Sequence, residues 1–234
     1  MPNARLAVAR RVAQLCGRRT LVLGALIVLG LLPTNPLLSS AATRCTRTAP
    51  LTAFDQALLD EVNLARTAPG NYAALLRERY ADLDQKGRLL RDGTRYTMRE
   101  GRKAVDEAVR FLTAAAPVAP LRLSSCLALA ARDHVADHGA AGKMGHVGSN
   151  GSQPSDRASR YLSERGVCGE NIAFGFRTPR DVVMQLIVDD GVPSRGHRTN
   201  LFKSGYKTLG VATGPHAKFS SMTVLLLCLH DIDE

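Results

Sequence analysis

No C-x-x-C pair occurs among the five cysteines of this 234-residue chain, no G-x-S-x-G elbow frames a serine, and no H-E-x-x-H joins its histidines. Those absences exclude a zinc–thiolate site, a hydrolase nucleophile elbow and a zincin helix in their usual forms. Lysine and arginine form no block interleaved with aromatics, which make up only 5% of the residues, so a nucleic-acid partner is not expected. There is no internal repeat and no low-complexity tract. Acidic residues are missing from positions 1–42, which carry Arg5, Arg10, Arg11, Arg18 and Arg19. These five arginines supply half of the formal charge of +10, which leaves the remainder only mildly basic. The apolar run from Leu21 to Leu32 falls short of the about 20 residues that a spanning helix needs.

What is present in that segment has an order. Arginines come first, then the apolar run, then Pro33, Asn35 and Pro36, then the small residues Ser39 to Ala42. This is the pattern of an export signal, with cleavage expected before Thr43. An uncleaved anchor is the alternative, because the run extends to Leu38 only through two prolines. Processing leaves no stable transmembrane span, and the expected location is secreted, periplasmic or extracellular. The chain thus divides into an export segment at 1–42, a linker at 43–53 and one domain at 54–234. With 45% hydrophobic and 22% charged residues, that domain is long and apolar enough to bury a core. Export also changes the meaning of the cysteines. Cys45, Cys126, Cys168 and Cys228 remain, an even count in an oxidising compartment, and predict two disulfides with three possible connectivities.

Periodicity predicts several helices. Thr52 and Asp55 read as a cap before Phe54, Leu58, Leu59, Val62 and Ala65 at helical spacing. Ala68-Pro69-Gly70 breaks that helix, and Asn71 is expected to cap a second. Residues 81–101 are polar and read as a loop or insertion. A third helix is expected over 102–115, and Ser124 opens a fourth that runs to His138. A glycine-rich loop from Gly142 to Pro154 presents His146, and Ser155 is expected to cap a short helix ending near Arg165. Val167 to Phe176 alternates as a strand, Thr178-Pro179 begins a helix, and Leu209–Ala212 and Met222–Leu229 read as strands. Helices and strands intermix, which predicts an α+β layered domain.

Chemistry concentrates in three places: Gly145-His146, Gly169-Glu170-Asn171, and the stretch from Asp189-Asp190 to Gly196-His197. Two imidazoles on glycine-flanked backbone suit a divalent ion, with waters filling an open shell. Glu170 and Asp189 can orient such ligands or hold water, with Asp190 an equally charged alternative to Asp189. Spacing alone favours a structural role for each of these residues, as capping carboxylates and hydrogen-bonded histidines. His134 and His138 lie four apart on one helix. Val135 stands where a zincin has glutamate, so a structural or surface role is expected for that pair.

The words "GENIAFG", "PSRGHRTNLF" and "NLARTAPGNYA" resemble the CAP superfamily, the secreted group of cysteine-rich secretory, antigen 5 and pathogenesis-related proteins, most closely its bacterial members. The likeness spans Phe54 to Asp231. It implies a three-layer α-β-α sandwich around a mainly antiparallel sheet. It also implies a pocket with His146 and His197 as metal residues and Glu170 and Asp189 as the acids that any catalysis would use. Leu186 stands where relatives carry a tryptophan, and the chain has none. The implied function is a binding module at the cell envelope or outside the cell. Its ligand would be a lipid, sterol or other small hydrophobic ligand or envelope component, with a divalent cation such as zinc as the cofactor. The alternative is a metal-dependent hydrolase in the same cleft, with Glu170 as the base.

Overall fold

The computed structural model describes residues 43–91 and 94–233, so the export segment expected at 1–42 lies outside the described residues. Helix α1 (Ala53–Thr67) opens on a capping box: Thr52 Oγ1 accepts from the Asp55 amide at 3.1 Å, and Asp55 accepts from the Thr52 amide at 2.9 Å. Helix α2 (Pro69–Arg79) starts two residues before the expected cap at Asn71. Proline is pre-set for the first helical position, where its missing N–H costs nothing. The expected loop at 81–101 contains a hairpin, β2 (Arg88–Arg91) and β3 (Thr94–Thr97), with Leu89 opposite Tyr96. Its strands are short and mostly polar, so alternation there is too weak to see. Helix α3 (Arg102–Ala114) buries Val105, Ala108, Val109 and Leu112 as its spacing demands.

The central sheet has the order β4 (Arg122–Leu123), β6 (Thr208–His216), β7 (Ser220–Cys228), β5 (Cys168–Phe174). β7 pairs antiparallel with both β5 and β6, and only the short β4 runs parallel to its neighbour. Alternate residues serve opposite layers. Leu209, Val211, Leu225 and Leu227 pack with α1, α2, α3 and α6 (Pro179–Val188). Ile172, Ala212, Met222 and Val224 pack against Ala131 of α4 (Ser125–Gly139), while Leu226 meets Leu127 and Ala158, the latter from α5 (Pro154–Ser159). Each fully buried leucine of this kind contributes roughly 1.5–3 kcal/mol. Gly210 lets α4 lie low on β6, since a Cβ there would stand 2.3 Å from the Leu127 carbonyl carbon. The result is the expected α-β-α sandwich with a mainly antiparallel sheet.

Two disulfides form, Cys45–Cys126 and Cys168–Cys228. The second joins partners directly opposite in the β5–β7 register. The first ties the 43–53 stretch, read from the sequence as a linker, to the start of α4. Beside it β1 (Thr43–Arg44) pairs in parallel with β8 (Ile232–Asp233), so this stretch is stapled to the domain at its start. Among the described residues, no helix is long and apolar enough to cross a membrane.

Candidate functional site

β5 is an edge strand, and its alternation sends neighbouring residues to opposite faces. Glu170 goes to the side of α4 and α5, and Asn171 to the side of the short helix α7 (Gly196–Leu201). The site forms where these two layers meet around that edge. Gly145, at φ +103, turns the loop after α4 in a conformation that side chains rarely adopt, and His146 follows it. His146 Nδ1 lies 3.0 Å from Glu170 Oε1. The other carboxylate oxygen accepts from Arg157 Nη2 at 2.6 Å, while Arg157 Nη1 donates to the carbonyls of His146 and Ser152. Glu170 and Arg157 are almost wholly buried, at 1% and 2% side-chain exposure, so each is the other's necessary partner.

His197 is held in the same way from the other side. Asp189 caps α6 in the left-handed region at φ 55, and its side chain is fully buried. Its Oδ2 accepts from the His197 amide at 2.9 Å, and its Oδ1 lies 2.6 Å from His197 Nδ1. Asp190 turns the opposite way and accepts from the amides of Arg99 and Glu100 at 2.6 and 2.8 Å. Of the two aspartates, Asp189 is therefore the partner of His197, and Asp190 anchors the segment after β3. The residue order predicts irregular backbone around His197; instead it sits in the first turn of α7. Arg195 and Arg198 clamp that turn to Glu107 of α3, and Arg195 also meets Glu100 in a bidentate pair. The pair with Arg195 holds the Glu100 carboxyl down at about 2. Arg66 of α1 closes the far end of α7, donating to the carbonyls of Leu201, Lys203 and Ala119. Burial lowers its pKa to about 10.

The four residues expected in one cleft are thus brought together as two His–carboxylate pairs. A carboxylate can only accept, so both Nδ1 atoms carry protons, and in the neutral ring each Nε2 keeps its lone pair. The ring centres stand 6.4 Å apart, with His146 at 47% and His197 at 22% side-chain exposure. An imidazole centre lies roughly 3 Å from an ion ligated at ~2.0–2.1 Å, so two rings on one ion have centres about 5–6 Å apart. Sharing one ion would therefore need the two rings slightly closer than they stand.

Sequence reasoning missed the braces around this cleft. Arg157 has no local signal, because a buried arginine is recognisable only once its carboxylate is placed. Asn171 donates to the His197 carbonyl at 2.9 Å, and Asn200 donates to Asn171 Oδ1 at 3.0 Å, tying β5 to α7. At Gly169 beside them, a Cβ would lie 2.3 Å from the Tyr206 hydroxyl, so a larger residue would push that side chain aside.

His134 and His138 are not surface residues. Their side chains are 0% and 3% exposed and their rings lie 4.2 Å apart. His134 Nε2 is 2.9 Å from the Gly145 carbonyl oxygen and 3.7 Å from Glu170 Oε1, and burial pushes its pKa below the ordinary imidazole value. With Asp137 they make a His–Asp–His group that could hold a metal ion, its ligand atoms within 4.8 Å of one another. His216 and His230 accept from the backbone amides of Lys218, Phe219 and Val167.

A comparison with curated proteins finds no significant relative. Among solved structures, an outer surface protein from Borrelia burgdorferi is similar at 17% identity and a TM-score of 0.40, aligned over 48% of this chain and 80% of that one. At that score no functional conclusion passes between them. Residues 59–229, most of the domain and both sides of the cleft, match the CAP family, described as the cysteine-rich secretory protein family. This protein belongs to the CAP family.

Proposed function

We propose that this chain is an exported binding module whose cleft takes a divalent cation on the Nε2 atoms of His146 and His197. One observation carries the reading: each imidazole has its Nδ1 fixed by a buried carboxylate, Glu170 or Asp189, so the opposite nitrogen is oriented and basic. Such bracing serves ligation better than packing, because it holds rings that are themselves partly exposed. Glu170 and Asp189 are then positioning residues. Glu170 is poorly suited to be the base of a hydrolase, since both its oxygens are engaged and its side chain is buried. Acid–base work in this cleft would fall to the histidine Nε2 atoms.

A cavity apart from the two histidines supports a small hydrophobic ligand as a further occupant. Leu89, Tyr96, Met98, Phe176 and Val188 line a cavity of about 190 Å³ under the hairpin. Gln185 Oε1 sits at that cavity, buried and without a hydrogen-bond partner. Drug-sized ligands occupy about 300–1,000 Å³. The cavity therefore suits a short acyl segment or headgroup bearing a donor for Gln185, and it is too small for a whole sterol. The two disulfides fit the oxidising setting that an exported protein meets.

The test is zinc titration of chelator-stripped protein by calorimetry. His146→Ala and His197→Ala are each expected to remove one bound equivalent without changing the fold, because neither ring lies in an apolar core. An unchanged stoichiometry in both variants would refute the cleft as a metal site.

A further inference from the structure

We propose that His134, Asp137 and His138 form a second divalent-cation site, separate from the cleft. Residues i and i+4 of one helix face the same side, so His134 and His138 of α4 present their rings together. His134 Nε2 is engaged with the Gly145 carbonyl, which makes that nitrogen the protonated one and leaves Nδ1 a bare acceptor. That Nδ1 is buried with no hydrogen-bond partner. His138 Nδ1 is likewise buried and unpartnered, and its Nε2 stands 3.7 Å from Asp137 Oδ2, beyond hydrogen-bond reach. Two adjacent imidazoles with unsatisfied nitrogens are an unfavourable arrangement for an interior unless something occupies the space between them.

Asp137 completes the set and gives it an entrance. It is the more exposed member, at 29%, and its carboxylate also accepts from the Ser149 amide at 2.7 Å and from the Ser149 hydroxyl. It opens onto a surface cavity shared with Ser149, Ser152 and Arg157, whose charge is already paired with Glu170. The ligand atoms lie within 4.8 Å of one another, and on one tetrahedral ion at ~2.0–2.2 Å they would be roughly 3–3.5 Å apart. Asp137, the most exposed member, has the most freedom to move toward that spacing. Two imidazoles and one carboxylate, with water in the remaining position, suit zinc or a neighbouring transition ion rather than calcium or magnesium.

The test uses the oxidised full chain carrying His146→Ala and His197→Ala, stripped with chelator and titrated with zinc alone, with circular dichroism to check the fold. One ion per chain is expected to remain. Adding His138→Met, or separately Asp137→Asn, to that background should weaken zinc uptake at least tenfold. Where His138→Met does not fold, Asp137→Asn decides, since that side chain is partly exposed. No zinc uptake by the double variant, as a buried water between the rings would give, overturns the proposal, and so does uptake unaffected by the added substitution. Failure of the cleft reading is distinguishable, because it would leave wild type and the double variant with equal stoichiometry.

Discussion

The two histidine pairs of this protein differ in how their nitrogens are satisfied. In the cleft, His146 comes from a loop and His197 from the first turn of α7, both are partly exposed, and each has Nδ1 fixed by a buried acid. On α4, His134 and His138 come from one helix, are buried, and leave Nδ1 without a partner. Bracing without burial fits rings kept ready for something from solvent. Burial with Nδ1 left bare fits rings that take an occupant there. Glu170 links the pairs, because its Oε1 is 3.0 Å from His146 Nδ1 and 3.7 Å from His134 Nε2.

The comparison breaks most severely at Arg157. Removing one member of a buried ion pair costs about 3–5 kcal/mol. Arg157→Ala should therefore lower the Tm by roughly 6–20 °C in a domain of this size. It should also free His146, because the same guanidinium holds that residue's carbonyl. A thermal melt within a degree or two of wild type would mean that Glu170 does not need this partner.

The disulfides separate the two regions more gently, each contributing about 2–4 kcal/mol. Cys168→Ala with Cys228→Ala releases the start of β5 beside Glu170, and is expected to weaken metal binding in the cleft. Cys45→Ala with Cys126→Ala releases the first turn of α4 and should lower the Tm while sparing the cleft. Melts and zinc titrations of both paired variants check this, and identical binding losses would erase the distinction.

A smaller effect isolates the brace itself. Asp189→Asn keeps the shape but weakens the hold on His197 Nδ1–H, and loss of such an outer partner typically costs 10–100-fold in metal affinity. His197 remains as a ligand, so stoichiometry should be unchanged while affinity falls. The smallest effect lies in the clamp that holds α7. The Arg195 guanidinium and the Gly191 amide hold Glu100 at about 2, below the ordinary value. A depressed carboxyl pKa adds stability above the unfolded value, near ~4.3, and that stability is lost as pH falls toward 2. Glu100→Gln should flatten part of the Tm decline across this window, and a decline of unchanged steepness would mean that the clamp adds no such stability.

Much of this was legible from residue order. Capping at Thr52 and Ser124, the apolar faces of α1, α3, α4 and α6, and the long strands β5 and β7 follow from local chemistry and periodicity. The resemblance carried His146, Glu170, Asp189 and His197 to one place, which no local spacing could do for residues so far apart in the chain. What stayed hidden depends on distant partners. The hairpin at 88–97 buries too little to alternate clearly, and α7 is too short to show a period. Choosing Asp189 over Asp190 required knowing that Arg99 and Glu100 offer their amides to the latter. Arg157 reads as a surface residue until Glu170 is opposite it.

Anomalous diffraction at the zinc edge, from crystals of the oxidised chain grown with zinc, decides whether both cleft histidines hold one ion. Ligation by both rings predicts an anomalous peak within about 2.0–2.1 Å of His146 Nε2 and of His197 Nε2, with each Nδ1 still on its carboxylate. A well-ordered cleft without such a peak, or with the rings turned so that Nδ1 faces the metal, would contradict it.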